Sequence, residues 1–225
     1  MSAGSVILFF VRDPEPGEVK TRLAAVIGSR AAADLYASFL LDLAGVLRSG
    51  PLPFRFVFSP PDREAALRQR LGAGVYRAQE GGDLGERMKN AFITAFDSGF
   101  SRAVLIGSDS PDLPPSRPAE AIELLGRNDA VLGPAHDGGY YLVGFTRRGF
   151  VPEAFSGPCW GADTVFRDTL AILARKKARV GLLPPFWDVD TFDDVKALAR
   201  RGSAGPHTAA ALARLGCRGS AEDGA

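Results

Sequence analysis

The 225-residue sequence is poor in cysteine and histidine and has almost no excess charge. Cys159 and Cys217 have no CxxC companion, so we expect two reduced thiols rather than a disulfide framework or a structural zinc site. His136 and His207 are the only histidines, which disfavours His-centred hydrolysis. The formal net charge is +1. We therefore expect no nucleic-acid partner, because such proteins concentrate Lys and Arg on one face.

Long apolar runs and several catalytic motifs are also missing. The first apolar run, residues 6–11, is too short to span a bilayer, and no basic segment precedes it. We expect this run to be a strand, and the protein to be cytoplasmic without membrane insertion. The sequence has no P-loop, GxSxG or HExxH motif and no GxGxxG after the first strand. The reactions that depend on those motifs are therefore not expected.

Short apolar segments alternate with segments of helical spacing along the chain. The apolar segments predict strands over 6–11, 54–58, 75–78, 103–106, 130–133, 141–145 and 180–183. Such alternation is typical of an α/β fold with a mostly parallel sheet flanked by helices. No linker divides the chain, so we expect one domain over residues 1–216 and a mobile tail over 217–225.

The most informative stretch is AVLIGSDSPDLPP, residues 103–115. It predicts a buried strand that stops at small and acidic residues, and the carboxyl ends of strands are where α/β sheets bind ligands. Asp109 is the first carboxylate after this strand, and Ser108 and Ser110 beside it are too small to block a ligand. We predict that Asp109 binds a divalent metal and that Asp112 shapes the turn into the following prolines.

A second acidic pair follows the last predicted strand. Asp188 and Asp190 are separated by one residue, so in an extended segment both face the same way and can approach one cation. Thr191 and Asp194, in contrast, have the spacing of a helix capping box. Neither acidic cluster has a lysine partner nearby in the sequence, which favours a metal. We expect Mg²⁺ or Mn²⁺, held by Asp109 together with Asp188 or Asp190.

Cations lie where a diphosphate could bind. Lys20 and Arg22 follow a Pro- and Gly-rich loop after the first strand, at the start of helical spacing. This arrangement predicts a phosphate cradle, with a solvated basic turn as the alternative. The segment QEGGDLGERM, residues 79–88, adds Gly82 and Arg87 to the predicted nucleotide-binding group.

The segment GPAHDGGYYLVGF, residues 133–145, has the most unusual composition. Gly138 and Gly139 leave backbone amides accessible beside Tyr140, whose ring is a candidate to stack on a sugar or acceptor. A bulged hairpin is the alternative explanation of paired glycines. Trp160 is a further candidate platform for the sugar or acceptor, with a position in the core as its alternative.

Six segments in this order resemble the glycosyltransferase family once called domain of unknown function 2064: DPEPGEVKTRLA, GGDLGERM, IGSDSPDL, GPAHDGGYYLVGF, CWGADTVFRDT and DVDTFDDV. The resemblance covers residues 6–198. Some members are described as selenodomain-associated or arsenosugar-biosynthesis transferases. The resemblance implies the GT-A fold of nucleotide-diphospho-sugar transferases. It also implies that Asp109 stands in place of their metal-binding DxD element.

The resemblance implies metal-dependent transfer of a sugar from a nucleotide-diphosphate sugar to a small acceptor. Inverting transfer needs a carboxylate to accept the acceptor's proton, and Asp163 and Asp137 are the candidates. Asp163 also lies at a predicted helix start, where Asp is a good cap. The alternative function is nucleotidyl transfer that makes an activated phospho-acid or cofactor, since the KTRL segment is similar to that of phospholactate guanylyltransferase. A non-catalytic nucleotide-binding module is the third possibility.

Overall fold

The computed structural model describes residues 4–217, which form a seven-stranded sheet with helices on both faces. The strands are β1 (Ser5–Arg12), β2 (Phe54–Ser59), β3 (Val75–Ala78), β4 (Arg102–Ile106), β5 (Ala130–Pro134), β6 (Tyr140–Thr146) and β7 (Val180–Leu182). The helices are α1 (Thr21–Ile27), α2 (Ser29–Ser49), α3 (Glu64–Leu71), α4 (Leu84–Asp97), α5 (Arg117–Leu124), α6 (Val165–Arg175), α7 (Phe192–Arg201) and α8 (Pro206–Arg214). Two short 3-10 segments lie at Pro61–Arg63 and Pro152–Phe155. The predicted tail lies outside the described residues except for Cys217.

The strand order is β3-β2-β1-β4-β6-β5-β7. Only β6 runs antiparallel to its neighbours among the described strands, and every other pair is parallel. The predicted mostly parallel α/β sheet is therefore confirmed. The carboxyl ends of six strands meet the amino end of β6 along one edge. Between β1 and β4 the chain changes the direction in which it adds strands, and such a switch point is where α/β sheets bind ligands.

Two apolar clusters cover the two faces of the sheet. Side chains alternate along β1, so Phe9 packs in the cluster with α2, whereas Leu8 packs in the cluster with α4. The first cluster also includes residues of α1, α3, α5, α7 and α8, and the second includes residues of α6. Residues 6–11 are all buried, as expected of a strand that is covered on both faces.

The amino end of α7 has the predicted capping box. The hydroxyl of Thr191 accepts a hydrogen bond from the backbone N–H of Asp194, and the Asp194 carboxylate accepts one from the backbone N–H of Thr191 at 2.8 Å. The same carboxylate accepts a hydrogen bond from the backbone N–H of Asp190 at 3.2 Å. These bonds fix the chain direction just after Asp188 and Asp190, and they give Asp194 a structural role.

Two further observations concern the cysteines and the helices. Cys159 and Cys217 are free thiols, and Cys159 is exposed. Within residues 4–217 no helix has the length and apolar character needed to cross a membrane.

Candidate functional site

A cleft of about 800 Å³ lies at the edge where the parallel strands end. Its walls include the loops that follow β1, β4, β5 and β7. Most of the predicted site residues line it, namely Lys20, Arg22, Arg87, Asp109, Asp137, Gly139, Tyr140, Trp160, Asp163, Asp188 and Asp190. Two predicted residues, Gly82 and Gly138, do not line it. The sheet therefore brings together side chains that the sequence places far apart.

Lys20 lies between the two acidic clusters. Its Nζ is 2.5 Å from Oδ1 of Asp109 and 2.7 Å from Oδ1 of Asp190. The Lys20 side chain is only 5% exposed, whereas the two carboxylates are 46% and 39% exposed. The lysine partner that neither cluster has nearby in the sequence comes from a distance, because the loop after β1 brings Lys20, which is 170 residues away in the sequence, to Asp190.

The surroundings of Lys20 keep it charged. Its Nζ lies 5.9 Å from the ring centroid of Tyr36 and 6.0 Å from that of Phe39. Burial lowers the pKa of Lys20, but Asp109 and Asp190 outweigh this effect, so the pKa is raised overall. The ammonium is thus a fixed positive charge inside the acidic group, and it sits within cation–π distance of both rings.

Tyr36 is a cleft residue that the sequence did not identify. Its hydroxyl shares a hydrogen bond of 2.8 Å with that of Ser108 and accepts one of 3.2 Å from the backbone N–H of Arg12. Burial, with the nearby charge of Asp109, raises the pKa of Tyr36 to about 12. The residue links α2 to the loops after β1 and β4. The apolar spacing of α2 marks Leu35 and Phe39, and it gives no signal for a polar group between them.

Asp188 lies directly beside Asp109. The backbone N–H of Val189 donates to the carbonyl of Asp109 at 2.8 Å, and the Val189 side chain is fully buried in the core. The aspartates on either side of Val189 both line the cleft, as the one-residue spacing predicts. Burial raises the pKa of Asp188 to about 7; the charges of Asp109 and Asp137 add to this effect, and a 2.6 Å hydrogen bond from Ser110 opposes it.

The carboxylates of Asp109 and Asp188 are suited to a hard cation such as Mg²⁺ or Mn²⁺. Within residues 4–217, no three side chains of Asp, Glu, His or Cys come close enough together to hold a metal by themselves. Lys20 engages Asp109 as well as Asp190, so a metal on either carboxylate meets the Lys20 ammonium. The donor set therefore fits an ion that is held by one or two carboxylates and keeps its other positions for water and substrate phosphates.

Asp112 lies outside the cleft. Its side chain is 2% exposed and accepts hydrogen bonds from Nε of Arg201 at 3.0 Å and from Oγ of Ser203 at 2.6 Å. The prediction that Asp112 shapes the turn into the prolines is corrected accordingly, because its carboxylate anchors the carboxyl end of α7. The backbone of the turn is closed instead by the bond from the Leu113 N–H to the Ser110 carbonyl.

The paired glycines form the turn of a hairpin between β5 and β6, and the pairing register shifts between Gly133 and Pro134 in β5. The Asp137 carboxylate accepts a 2.8 Å hydrogen bond from the backbone N–H of Gly139. Gly138 has φ of 91°, and a Cβ there would lie 2.0 Å from the carbonyl oxygen of Asp163. Gly138 therefore allows two loops to approach closely, and this contact brings the two candidate bases to the same wall of the cleft.

Asp163 does not cap α6. The cap position is Thr164, whose hydroxyl donates to the Asp168 carboxylate at 2.7 Å. Across the described part of the chain, no hydrogen bond or ion pair holds the Asp163 carboxylate, which lines the cleft. Its side chain is thus available to a ligand.

Tyr140 and Trp160 pack together in the cleft wall. Their ring centroids are 6.3 Å apart and their planes are nearly perpendicular. Burial raises the pKa of Tyr140, whose hydroxyl is enclosed in the core below. Trp160 also abuts α4, since a Cβ on Gly85 would lie 2.5 Å from the indole Nε1. Both rings are therefore part core and part cleft surface.

The other predicted phosphate-binding residues differ in their surroundings. Arg22 is exposed near the start of α1 and makes no hydrogen bond or ion pair with any of residues 4–217. Arg87 donates through Nε to the carbonyl of Gly81 at 3.1 Å. The backbone N–H of Gly82 donates to the Glu86 carboxylate at 2.8 Å. Gly82, whose amide is already bonded and which lies off the cleft, is the predicted residue least suited to a phosphate contact.

His136 lies in the hairpin turn. Its ring stacks on the exposed indole of Trp187, with a centroid distance of 3.6 Å and an interplanar angle of 19°. The histidine does not line the cleft.

Comparison with known proteins identifies the family. The model of the family described as "Uncharacterized protein conserved in bacteria (DUF2064)" matches residues 43–162. Among solved structures, a proposed nucleotide-diphospho-sugar transferase from Desulfovibrio desulfuricans G20 is 40% identical, with 94% of this chain and 95% of that chain covered and a TM-score of 0.90. No curated protein matches the sequence.

Two more distant structures share the fold. Rv0371c from Mycobacterium tuberculosis H37Rv is 17% identical, with 88% of this chain and 98% of that chain covered and a TM-score of 0.56, and it has also been solved with manganese. A CMP:2-keto-3-deoxy-manno-octonic acid synthetase complexed with CTP is 11% identical, with 89% and 100% covered and a TM-score of 0.57. The family model, together with the 40% identity to the Desulfovibrio protein, shows that this chain belongs to the DUF2064 family.

Proposed function

We propose that the protein is a GT-A type glycosyltransferase, which uses Mg²⁺ or Mn²⁺ to transfer a sugar from a nucleotide-diphosphate sugar to a small acceptor. The observation that carries this proposal is the meeting of Asp109, Asp188 and Lys20 in one cleft at the switch point of the sheet. A volume of about 800 Å³ is within the range of small-ligand sites. The similarity to the Desulfovibrio protein, a proposed nucleotide-diphospho-sugar transferase, supports the same class of substrate.

The acidic and the basic residues of the cleft would have different roles: the acidic residues would bind the metal, and the basic residues would bind the phosphates. Asp109 and Asp188 would hold the metal, which offsets the charge on the diphosphate leaving group. Arg22 would contact phosphate oxygens directly, because it is exposed in the cleft and has no other partner among residues 4–217. Lys20, which lines the same cleft, would contribute a second positive charge toward the phosphates.

Asp163 is the better of the two candidate bases. Its carboxylate is not held by another described group, whereas that of Asp137 is engaged by the turn. Asp163 also lies on the wall that contains Trp160 and Tyr140, where the sugar and the acceptor would bind. A carboxylate within hydrogen-bond reach of an acceptor hydroxyl can take its proton as the new glycosidic bond forms.

Nucleotidyl transfer is the second candidate. The observation in its favour is the shared fold with a CTP-bound synthetase and with a cytidylyltransferase from Leptospira borgpetersenii. In that reaction the same cations and carboxylates would act at the α-phosphorus of a triphosphate. Pyrophosphate would then leave, rather than a nucleoside diphosphate.

The identity of the leaving group distinguishes glycosyl transfer from nucleotidyl transfer. The protein is incubated with Mn²⁺ and a panel of UDP-, GDP- and dTDP-sugars with small acceptors, and in parallel with nucleoside triphosphates. Nucleoside diphosphate release that needs the acceptor and stops on addition of EDTA is expected. Pyrophosphate release from a triphosphate would replace the proposal with nucleotidyl transfer. Nucleotide binding without turnover across the panel would favour a non-catalytic module.

A further inference from the structure

The Lys20 ammonium lies against two of the three carboxylates that are candidate metal ligands. It contacts Asp109 and Asp190 at once, and the side chain is almost completely buried. A metal that binds Asp109 must compete with this ammonium for the same carboxylate, and the two cations repel each other at short range. In this geometry, therefore, one positive charge of the protein already offsets part of the negative charge of the acidic group.

The backbone at Lys20 is also unusual. Its φ and ψ are both 47°, in the left-handed region that residues other than glycine adopt at a cost. Lys20 precedes the first turn of α1 but makes no side-chain cap bond to it. Its ion pairs with Asp109 and Asp190 are thus the polar contacts that hold the side chain. Strain of this kind persists where surrounding contacts impose it, and loss of those contacts favours movement.

We propose that Lys20 is a resident counter-ion of the metal site, which leaves Asp109 for the phosphates only when a nucleoside diphosphate and the metal bind together. This inference rests on the proposed metal and nucleotide site. Under this proposal the binding of the metal and the binding of the diphosphate depend on each other. The metal alone must displace an ammonium that would then lose an anionic partner, whereas a diphosphate gives that ammonium a new one. By linkage, each ligand then raises the affinity for the other by the same factor.

Arg22 provides a matched control for net charge. It lines the same cleft two residues away but is exposed, and no ion pair joins it to the described residues. Lys20→Met and Arg22→Met each remove one positive charge. Only the first removes an ammonium that is in contact with Asp109 and Asp190.

The first test measures binding of Mn²⁺ alone, by the electron paramagnetic resonance signal of the free ion. Lys20→Met is expected to bind Mn²⁺ at least about tenfold more tightly than the wild type, within the range ordinary for coupled sites. Arg22→Met is expected to stay within about twofold of the wild type, because an exposed charge without an ion pair to the carboxylates is screened by the solvent. Lys20→Arg keeps the charge and is expected to bind Mn²⁺ as weakly as the wild type.

A second test needs no variant and so does not depend on folding of Lys20→Met. The ammonium group of a buried lysine in an ion pair is observed by ¹⁵N NMR in the wild type. The Lys20 signal is expected to be unchanged by Mg²⁺ alone, and to shift when Mg²⁺ is added with GDP or UDP. A shift with Mg²⁺ alone that is as large as the shift with both ligands would overturn the inference.

Equal Mn²⁺ affinity in the wild type and a folded Lys20→Met would also overturn it, as would an equal gain in Arg22→Met. These outcomes are distinct from failure of the proposed function. A protein that releases nucleoside diphosphate but fails these tests loses the counter-ion role and keeps its transferase activity. A protein that passes them without turnover keeps the counter-ion role and loses the proposed reaction.

Discussion

The aspartates of the cleft differ because their neighbours differ. Asp109 and Asp190 share the Lys20 ammonium, so one positive charge offsets part of their combined negative charge. Asp188 is more buried and has a hydroxyl partner in Ser110, and its pKa is raised to about 7. Asp188 thus meets an incoming cation in a different state from Asp109 and Asp190, although all three lie on the same edge of the sheet.

A pair of substitutions separates function from stability at residue scale. Asp109→Asn is expected to lower metal-dependent diphosphate release at least about 100-fold, because each tenfold loss is about 1.4 kcal/mol and a lost metal contact removes several kcal/mol. Asp112→Asn is the matched control, since its carboxylate is buried against Arg201 away from the cleft. It is expected to lower the free energy of unfolding by about 2 kcal/mol and to leave the rate nearly unchanged. Initial rates and urea unfolding measure the two effects, and equal rate losses would contradict the assignment of Asp109.

Asp13 gives a pH-dependent prediction. Its side chain is 3% exposed, and Oδ2 has no hydrogen-bond partner among residues 4–217. Burial raises the pKa of Asp13 above its ordinary 3.8; the charge of Glu15 adds to the effect, and Arg63 opposes it. The folded state therefore holds the proton more tightly than the unfolded state, and stability is lost as the pH rises from about 4 through the folded-state pKa.

Asp13→Asn removes this titration. The variant is expected to be more stable than the wild type at pH 8, and its advantage is expected to shrink as the pH falls towards 4. Urea unfolding at pH 8, 6 and 4 measures the difference. Asp97→Asn, at an exposed site, is the control and should follow the wild type across the same range. An advantage for Asp13→Asn that does not change with pH would contradict the raised pKa.

At the scale of elements, small residues decide how closely the helices approach the cleft. Gly85 lies in the first turn of α4, where a Cβ would come within 2.1 Å of the Phe155 carbonyl oxygen and 2.5 Å of the Trp160 indole nitrogen. The helix therefore packs against the Trp160 loop through its backbone. This contact joins the cluster around α4 to the cleft wall, so the position of Trp160 depends on that of α4.

Gly85→Ala is expected to destabilise the protein by roughly 1–3 kcal/mol, because the added methyl group overpacks the contact. It should also move Trp160 and change its fluorescence, with Trp187→Phe as the background that leaves one tryptophan. Gly45→Ala in α2 is the matched control, since nothing lies within 4 Å of its Cβ position. That change should stabilise by up to about 1 kcal/mol. Unfolding curves test both, and equal effects would contradict the close contact at Gly85.

At the scale of the whole molecule, the sequence was sufficient to predict the strands of the sheet but not the antiparallel direction of β6. Strands buried on both faces are continuous apolar runs, so residues 6–11 and 103–106 were recognisable without any structural information. The antiparallel course of β6 depends on the short connection through Gly138 and Gly139, which permits a hairpin and no crossover. Paired glycines alone do not distinguish such a turn from a ligand-binding loop.

The site was predictable where it depends on strand ends and hidden where it depends on distant contacts. Asp109 and Asp188 lie in the segments that follow β4 and β7, so their shared edge follows from the α/β pattern. The contact of Lys20 with Asp190 spans 170 residues, and that of Arg201 with Asp112 spans 89. No local spacing reports such pairs, because they arise only when the loops pack together.

The most direct test of the proposed site is an anomalous difference map from a crystal grown with Mn²⁺ and a nucleoside diphosphate. A manganese peak is predicted within about 2.5 Å of carboxylate oxygens of Asp109 and Asp188. The diphosphate is predicted to bridge that peak and Arg22. A metal peak elsewhere on the molecule, or a diphosphate bound outside this cleft, would contradict the proposed site.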